Sequence, residues 1–516
     1  MSNVSSLLRS LFVYTICIPL AVILGYLMAN PFDFATFGVV GLVLFLLFVP
    51  LLLKWHHTWL IASWNTSAIL FFLPGKPPIW LLLAWLSLFI GVGQYILNRQ
   101  LKFLAAPSIA KPLLFLTLVV LVTARCTGGV GLQSMGSETY GGRKYVILLT
   151  GVIGFFALCT QRIPPHRTFF FVALFFLGAV TQAIGDTASL INPAFYFVFL
   201  IFPVNTLRIT GDDFVAGSGF MARLGGFSLM GGAVFYYMLS RFGISEILSM
   251  RRLLRLGIFL FFLILSMLGG FRSMLILAVM TFVILFYFEG LMKSRLLPTL
   301  LLCVVFGGAL LAPFVDRLPL SIQRTLSFLP LQVSPVAKAS AESSTEWRLN
   351  MWRRLMPQVP QYLLLGKGYA INSAEFDVSR ASELRGTDIS GESGTMMAGD
   401  YHNGPLSVII PFGIFGAIAF LWFLFAGIRV LYQNYLNGDP NNVHINRFLL
   451  SYFIAKILFF ILIYGGFASD LVGFTGLLGL SISINGGVLK PAIVPQAKIV
   501  FNRFRLHPGA RRPIGA

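Results

Sequence analysis

Residues 255–289 read RLGIFLFFLILSMLGGFRSMLILAVMTFVILFYFE, with charge only at the two ends and at Arg272 in the middle. Crossing the hydrocarbon of a bilayer takes about 20 mostly apolar residues. The stretch therefore predicts two consecutive spans, 255–270 and 271–289, that meet at a Gly-Gly turn. Arg272 falls at that turn, at one face of the membrane. A charge buried deep in the bilayer would cost ~2.5–3.5 kcal/mol, so Arg272 either snorkels to the interface or serves a function.

The rest of the chain has the same character. Of 516 residues, 57% are apolar and 11% are charged. Soluble domains carry about 25% charged residues, so this chain cannot cover itself with a solvated surface. Apolar runs predict an all-α, polytopic bundle of about fourteen spanning helices. The remaining runs are 11–29, 36–53, 58–73, 78–97, 112–126, 145–160, 168–185, 224–241, 296–313, 405–431, 447–467 and 470–487. The run 58–73 is short and carries Asn65. A first run of this length without a small-x-small cleavage site predicts a spanning helix, not a secretory signal. The four cysteines lie in or beside apolar runs, so no disulfide framework and no metal site is expected from them.

Charge placement sets the orientation. With both termini cytoplasmic, the inner loops collect Arg9, Lys54, Arg99, Lys102, Lys111, Arg162, Arg167, Arg251, Arg252 and Lys293, as the positive-inside rule requires. Counting 190–205 as a further span would carry Arg162 and Arg167 outside, so that segment is expected to be re-entrant or interfacial. The net charge of +20 is spread over short loops and a basic tail. That distribution fits topology determinants and excludes a nucleic-acid surface.

The chain divides into spanning helices over 1–219, further spans carrying arginines over 220–313, a long outer loop over 314–404, C-terminal spans over 405–487 and a basic cytoplasmic tail over 488–516. The loop holds nine of the eighteen carboxylates. Loops of that length in compact proteins are functional or disordered. Ser343 followed by Glu346 predicts a capping box that opens an amphipathic helix over 346–356. The Ser- and Gly-rich run 377–400 is expected to act as a mobile lid.

Of the six histidines, this topology places only His402 outside, where the loop re-enters the membrane. An imidazole with an ordinary pKa near 6.5 can accept a proton at neutral pH. A polar residue at a helix entry can also serve as a simple cap. From Tyr401 the chain reads YHNGPLSVIIPFGIFG. Upstream are Trp347-Arg348 followed by Trp352, the turn Gly366-Lys367-Gly368, Gly270-Phe271-Arg272-Ser273, and Ala222-Arg223-Leu224-Gly225-Gly226.

This ordered set, over roughly 220–430, resembles the O-antigen ligase and Wzy-type O-antigen polymerase family of membrane glycosyltransferases. It departs from the family pattern at Phe271, where a Ser is usual, and after Arg223, where an Asn-Pro-Asn-like continuation is missing. The resemblance implies an enzyme of the bacterial inner membrane with its active face outside. Its donor would be a glycan linked to undecaprenyl diphosphate, and its acceptor a hydroxyl on a glycan, a lipid A core or a protein. The resemblance implies no cofactor and no metal. It casts His402 as the base that takes the acceptor proton, and Arg272, Arg348 and Arg223 as diphosphate ligands, since a planar guanidinium can hold two phosphate oxygens. Asp400 could orient His402 or be one more loop carboxylate. The alternative reading, a transporter or flippase of lipid-linked sugars, would call for inverted repeats and ionisable pairs at mid-membrane, and neither is visible in the sequence.

Overall fold

The structure, a computed structural model, describes residues 34–98, 103–131, 139–209, 221–372 and 392–489, with a few isolated positions besides. The first expected span, 11–29, most of the expected lid and the tail beyond residue 489 lie outside the described residues. The chain is an all-α bundle, and eight helices among the described residues are long and apolar enough to cross a membrane.

In chain order the helices are α1 (Phe34–Ser63), α2 (Ile79–Leu97), α3 (Pro107–Thr127) and α4 (Gly142–Leu158). Next come α5 (Thr168–Leu177) and α6 (Gln182–Ile191), joined by the 3-10 turn Gly178–Thr181, then α7 (Gly225–Ile247) and α8 (Leu253–Leu265). α9 (Arg272–Phe288) and α10 (Leu296–Leu311) lead into the short α11 (Leu320–Leu326) and into α12 (Pro335–Leu355). The chain closes with α13 (Glu392–Met397), α14 (Gly404–Asn437), α15 (Val443–Leu462) and α16 (Phe467–Asn485). The core is aromatic: Phe412, Phe423, Phe448, Phe453, Phe467 and Phe474 are fully buried among α14, α15 and α16. Gly427 makes room for it, since a Cβ there would sit 2.6 Å from the Phe453 ring.

The two ends of the bundle can be told apart by their polar contacts. At one end Gln94 donates to the Leu53 carbonyl at 3.0 Å, His57 meets the Leu158 carbonyl at 3.0 Å, and Asn446 pairs with Asn485 at 2.9 Å. The other end gathers the starts of α4, α7, α9, α14 and α16 around the long loop. The expected span 58–73 leads from the first end to the second, because Pro74 and Gly75 share a cavity with Lys144 and Tyr369. It is not a helix of its own. α1 kinks at Trp55 and continues to Ser63, after which the chain runs on as turns. Its polar groups are met by neighbours: Asn65 donates to the Phe175 carbonyl at 2.8 Å, and the Ser67 amide to Thr181 Oγ1 at 3.0 Å.

Residues 190–205 begin and end on the same side. They form the 3-10 helix Pro193–Leu200 and return to Asn205. The buried carboxylate of Asp186 accepts from the Asn205 amide at 2.9 Å and from the Gly226 amide at 2.6 Å. One side chain thus ties the middle of α6, the return of this segment and the start of α7 together.

The loop helix differs from expectation. α12 begins at Pro335, with Ser334 at its N-cap, so Ser343 lies inside the helix and caps nothing. Ser-Pro at the cap and first position is itself a start signal. Past it, Ala337-Lys338-Ala339 favour helix strongly enough to open it well before the predicted capping box.

Candidate functional site

The site is built on helix starts and on one helix break. α14 is interrupted at Gly413, whose φ of +61° lies in the left-handed region that glycine tolerates. The break frees backbone groups, and residues 363–368 take them up. Lys367 and Gly368 donate to the carbonyls of Ile410 and Pro411 at 2.8 and 3.0 Å, and the Ile414 amide donates to the Leu363 carbonyl at 2.7 Å. Gly366 and Gly368 have φ of +82° and +69°. A Cβ at Gly366 would fall 2.1 Å from the Pro411 carbonyl oxygen, and one at Gly368 2.1 Å from Thr127 Oγ1. The Gly-x-Gly turn is therefore the plug that seats the loop against the broken helix.

Each predicted arginine is held by a different element. Arg223 lies on the strand Met221–Leu224, paired antiparallel with Thr206–Ile209. Its Nε donates to the Gly269 carbonyl at 3.0 Å, and its guanidinium lies 4.4 Å from the centroid of the Phe271 ring. Phe271, which stands where the family has Ser, thus supplies the face under Arg223. Arg272 opens α9, and its Nη2 donates to the Ala341 carbonyl at 2.7 Å and to Thr345 Oγ1 at 2.9 Å on α12. Arg348, on α12, packs over the Tyr464 ring at 5.5 Å.

These three arginines share one cavity of about 220 Å³ with His402 and with a fourth, Arg324. Sequence reading missed Arg324. It belongs to the short α11, is 5% exposed, and braces the cavity. Its Nε donates to Ser340 Oγ at 3.1 Å, Nη2 to Ser344 Oγ at 2.6 Å, and Nη1 to the Gly270 carbonyl. Among the described residues no carboxylate forms an ion pair with any of the four. Burial, reinforced by the charges of Arg223, Arg272 and Arg348, pushes Arg324 down to about 9. Burial and Arg348 push Arg223 down to about 10. Four crowded guanidiniums without a carboxylate form a strong field for an anion with more than one charge.

His402 stands at the wall of this cavity. It is half-buried between Trp347, at 5.2 Å edge-on, and Tyr464, at 5.3 Å. The cap of α14 is the neighbouring Asn403, whose Oδ1 accepts from the Leu406 amide at 3.0 Å, so helix capping does not account for His402. His402 Nδ1 lies 2.8 Å from the carbonyl of Asp400. A carbonyl can only accept, so Nδ1 carries the proton and Nε2 of the neutral ring keeps its lone pair. Burial lowers the pKa of His402 and the charge of Arg348 lowers it further, against the raising effect of the Asp400 carbonyl contact. The ring is therefore neutral at pH 7. The Asp400 carboxylate does not touch the ring and pairs instead with Lys144 at 2.7 Å. The other described histidines, His56, His57, His166 and His444, belong to the opposite end of the bundle, and His507 lies outside the described residues.

Two further cavities adjoin the site. One, of about 610 Å³, is lined by Thr395, Asp400, His402, Tyr464, Gly466 and Ser469, with no lysine or arginine among the described residues of its wall. The other, of about 280 Å³, shares Arg272 and Arg348 with the cationic cavity and continues along Ile276, Phe328, Leu349, Trp352 and Leu462.

Together these features define a multi-pass membrane protein with a cationic, histidine-walled site at one end of its helices. Residues 256–421 match the model of the O-antigen ligase family, which supports the resemblance carried by the ordered motifs. The match includes Arg272, Arg324, Arg348 and His402 and excludes Arg223 and Lys144. It supports a ligase- or polymerase-type role in a membrane, with a lipid-linked glycan and an acceptor as partners. A search of curated proteins found no match.

Proposed function

We propose that the protein is a glycosyltransferase of the bacterial inner membrane that moves a glycan from undecaprenyl diphosphate to an acceptor hydroxyl on the extracytoplasmic side. The observation that carries this reading is the position of His402, which lines both the cationic cavity and the larger one beside it. The diphosphate of the donor would lie among Arg223, Arg272, Arg324 and Arg348. Its polyisoprenyl chain would leave along the apolar cleft beyond Arg272 and Arg348. The acceptor would enter from the other cavity, where Tyr464 offers a face and Ser469 and Thr395 offer hydroxyls.

In the transfer step the acceptor oxygen attacks the anomeric carbon of the donor glycan. His402 Nε2 takes the hydroxyl proton as the new C–O bond forms. The bond from that carbon to the diphosphate breaks, and the departing electron pair resides on the diphosphate oxygen. Cations already in place where charge develops act in the transition state without reorganising, which is the largest single contribution in many such sites. The arginines would serve the leaving group and His402 the nucleophile. Transfer by purified protein in liposomes, from a lipid-linked glycan to a free or lipid-borne glycan, tests the reading. Release of undecaprenyl diphosphate with a lengthened acceptor supports it. Movement of intact donor across the bilayer without transfer would replace it with the flippase reading.

A further inference from the structure

We propose that Lys144, on α4 and outside the stretch that matches the ligase family, is a positioning residue that sets the His402 ring by anchoring residues 398–400. The inference rests on the reading of His402 as the base.

Lys144 is the third residue of α4. A cation in the first turn of a helix is opposed by the helix dipole, so neighbours must compensate for it there. Three neighbours do so, and all belong to the long loop. The ammonium donates to the Ala398 carbonyl and, at 2.7 Å, to Asp400 Oδ1, and it lies 5.3 Å from the centroid of the Tyr369 ring. Between the two acceptors, Gly399 adopts a φ of +69°, and a Cβ there would sit 3.1 Å from the Tyr369 ring. The positive φ favours a glycine at this turn, and a side chain there would also press on the Tyr369 ring.

From this anchor the chain passes directly to His402. The Asp400 carbonyl is the partner of Nδ1, and His402 itself has a φ of +51°. A left-handed conformation at a non-glycine residue is uncommon and persists only where its surroundings fix it. The fixing contacts come from two sides. On the far side Trp352 Nε1 donates to the Tyr401 carbonyl at 2.9 Å, and Asn403 caps α14. On the near side the Gly399 and Asp400 amides donate to the Met396 and Thr395 carbonyls, both at 3.0 Å, and Lys144 ties this turn to α4. Without it the Ala398 carbonyl and the Asp400 carboxylate lose their cation. The carboxylate, already half exposed, becomes free to compete with its own carbonyl for the ring. The charged and titratable groups around His402 are Arg348 from α12, Tyr464 between α15 and α16, Asp400, Lys144, and, across the shared cavity, Arg223, Arg272 and Arg324.

The test measures the ring without requiring transfer. Diethyl pyrocarbonate modifies neutral imidazole, and peptide mass spectrometry reads its rate at His402 on the full detergent-solubilised chain between pH 5 and 8. His166, at the opposite end, is the internal reference. With Lys144→Met the limiting rate at His402 is expected to rise severalfold and its pH midpoint to move up, with His166 unchanged, and Lys144→Arg should retain most of the parent behaviour. If Lys144→Met fails to fold, Asp400→Asn breaks the same ion pair from the loop side and should raise the limiting rate likewise. A His402 rate and midpoint unchanged by loss of the ion pair would overturn the proposal, as would Lys144→Arg behaving like Lys144→Met. The outcome is separable from the catalytic reading. A loosened ring together with full transfer by His402→Ala would sink the base and leave the anchor standing.

Discussion

Replacing Arg324 by Met isolates the part of the site that the sequence did not announce. The substitution keeps an unbranched apolar stem and removes one of four clustered charges. It leaves the Gly270 carbonyl and Ser340 Oγ without their donor, while Ser344 Oγ retains its bond to the Ser340 carbonyl at 3.1 Å. A stranded buried acceptor costs ~1–3 kcal/mol, and the Ser340 hydroxyl can rotate to limit its share. Relief of repulsion from Arg223, Arg272 and Arg348 acts in the opposite direction, so the empty protein should melt within a few degrees of the parent. Anion binding should respond differently. A hydrogen bond to a charged group contributes ~1.5–3 kcal/mol, which corresponds to a loss of about 10- to 150-fold in affinity for inorganic diphosphate. Differential scanning fluorimetry reads both effects. Diphosphate at about 100 times its dissociation constant stabilises the parent by ~2.7 kcal/mol. At the same concentration the Met variant should be stabilised by only ~0.3–1.4 kcal/mol, a clearly smaller shift. Equal shifts in the two proteins would refute the assignment of Arg324 to an anion site, as would a parent stabilised no more by diphosphate than by chloride at matched ionic strength.

Three other outcomes follow from the geometry. Arg272→Lys and Arg348→Lys keep the charge but lose the planar fork, so each should reduce transfer strongly at normal protein levels; full activity in both would make them interfacial anchors only. Asn403→Ala removes the cap of α14 and should lower stability by ~1 kcal/mol while turnover falls far less than in His402 variants; a loss as deep as theirs would show that the cap, not the imidazole, is what transfer needs. In a background without native cysteines, Ser382→Cys should react with an impermeant maleimide in intact spheroplasts and Asn441→Cys should not, and the reverse pattern would place the site in the cytoplasm.

Much of this arrangement was legible in the sequence, for identifiable reasons. Apolar runs report helices directly; Arg272 stood out as a charge between two of them, His402 as the one outward-facing histidine of the expected topology, and Arg223 and Arg348 through the motifs that resemble the family. The Gly-x-Gly turn was visible because only glycine accepts the backbone at Gly366 and Gly368. Arg324 was not visible, because it sits in an ordinary polar stretch of the loop and gains its role from Gly270, 54 positions away. Lys144 was hidden in the same way, with its partners 254 and 256 positions distant. The start of α12 was misplaced because a local capping box competed with Ser334-Pro335, and helix propensity between them decided the outcome. The segment 58–73 read as a helix because hydropathy reports apolar chain and not its hydrogen bonds, which here go to α5 and to the turn that follows it.

The most direct test is turnover by His402→Ala with a purified undecaprenyl-diphosphate-linked glycan, measured together with donor retention. A base that acts in the transition state contributes about 10²–10⁴-fold to rate and little to ground-state binding. Transfer should therefore drop at least ~100-fold while donor binding stays within about threefold. The parent's activity should persist to below pH 6.5, since burial and Arg348 lower the imidazole pKa, and should fall once the pH drops through it. A variant that keeps more than about a tenth of parental turnover would contradict the role of His402 as the base.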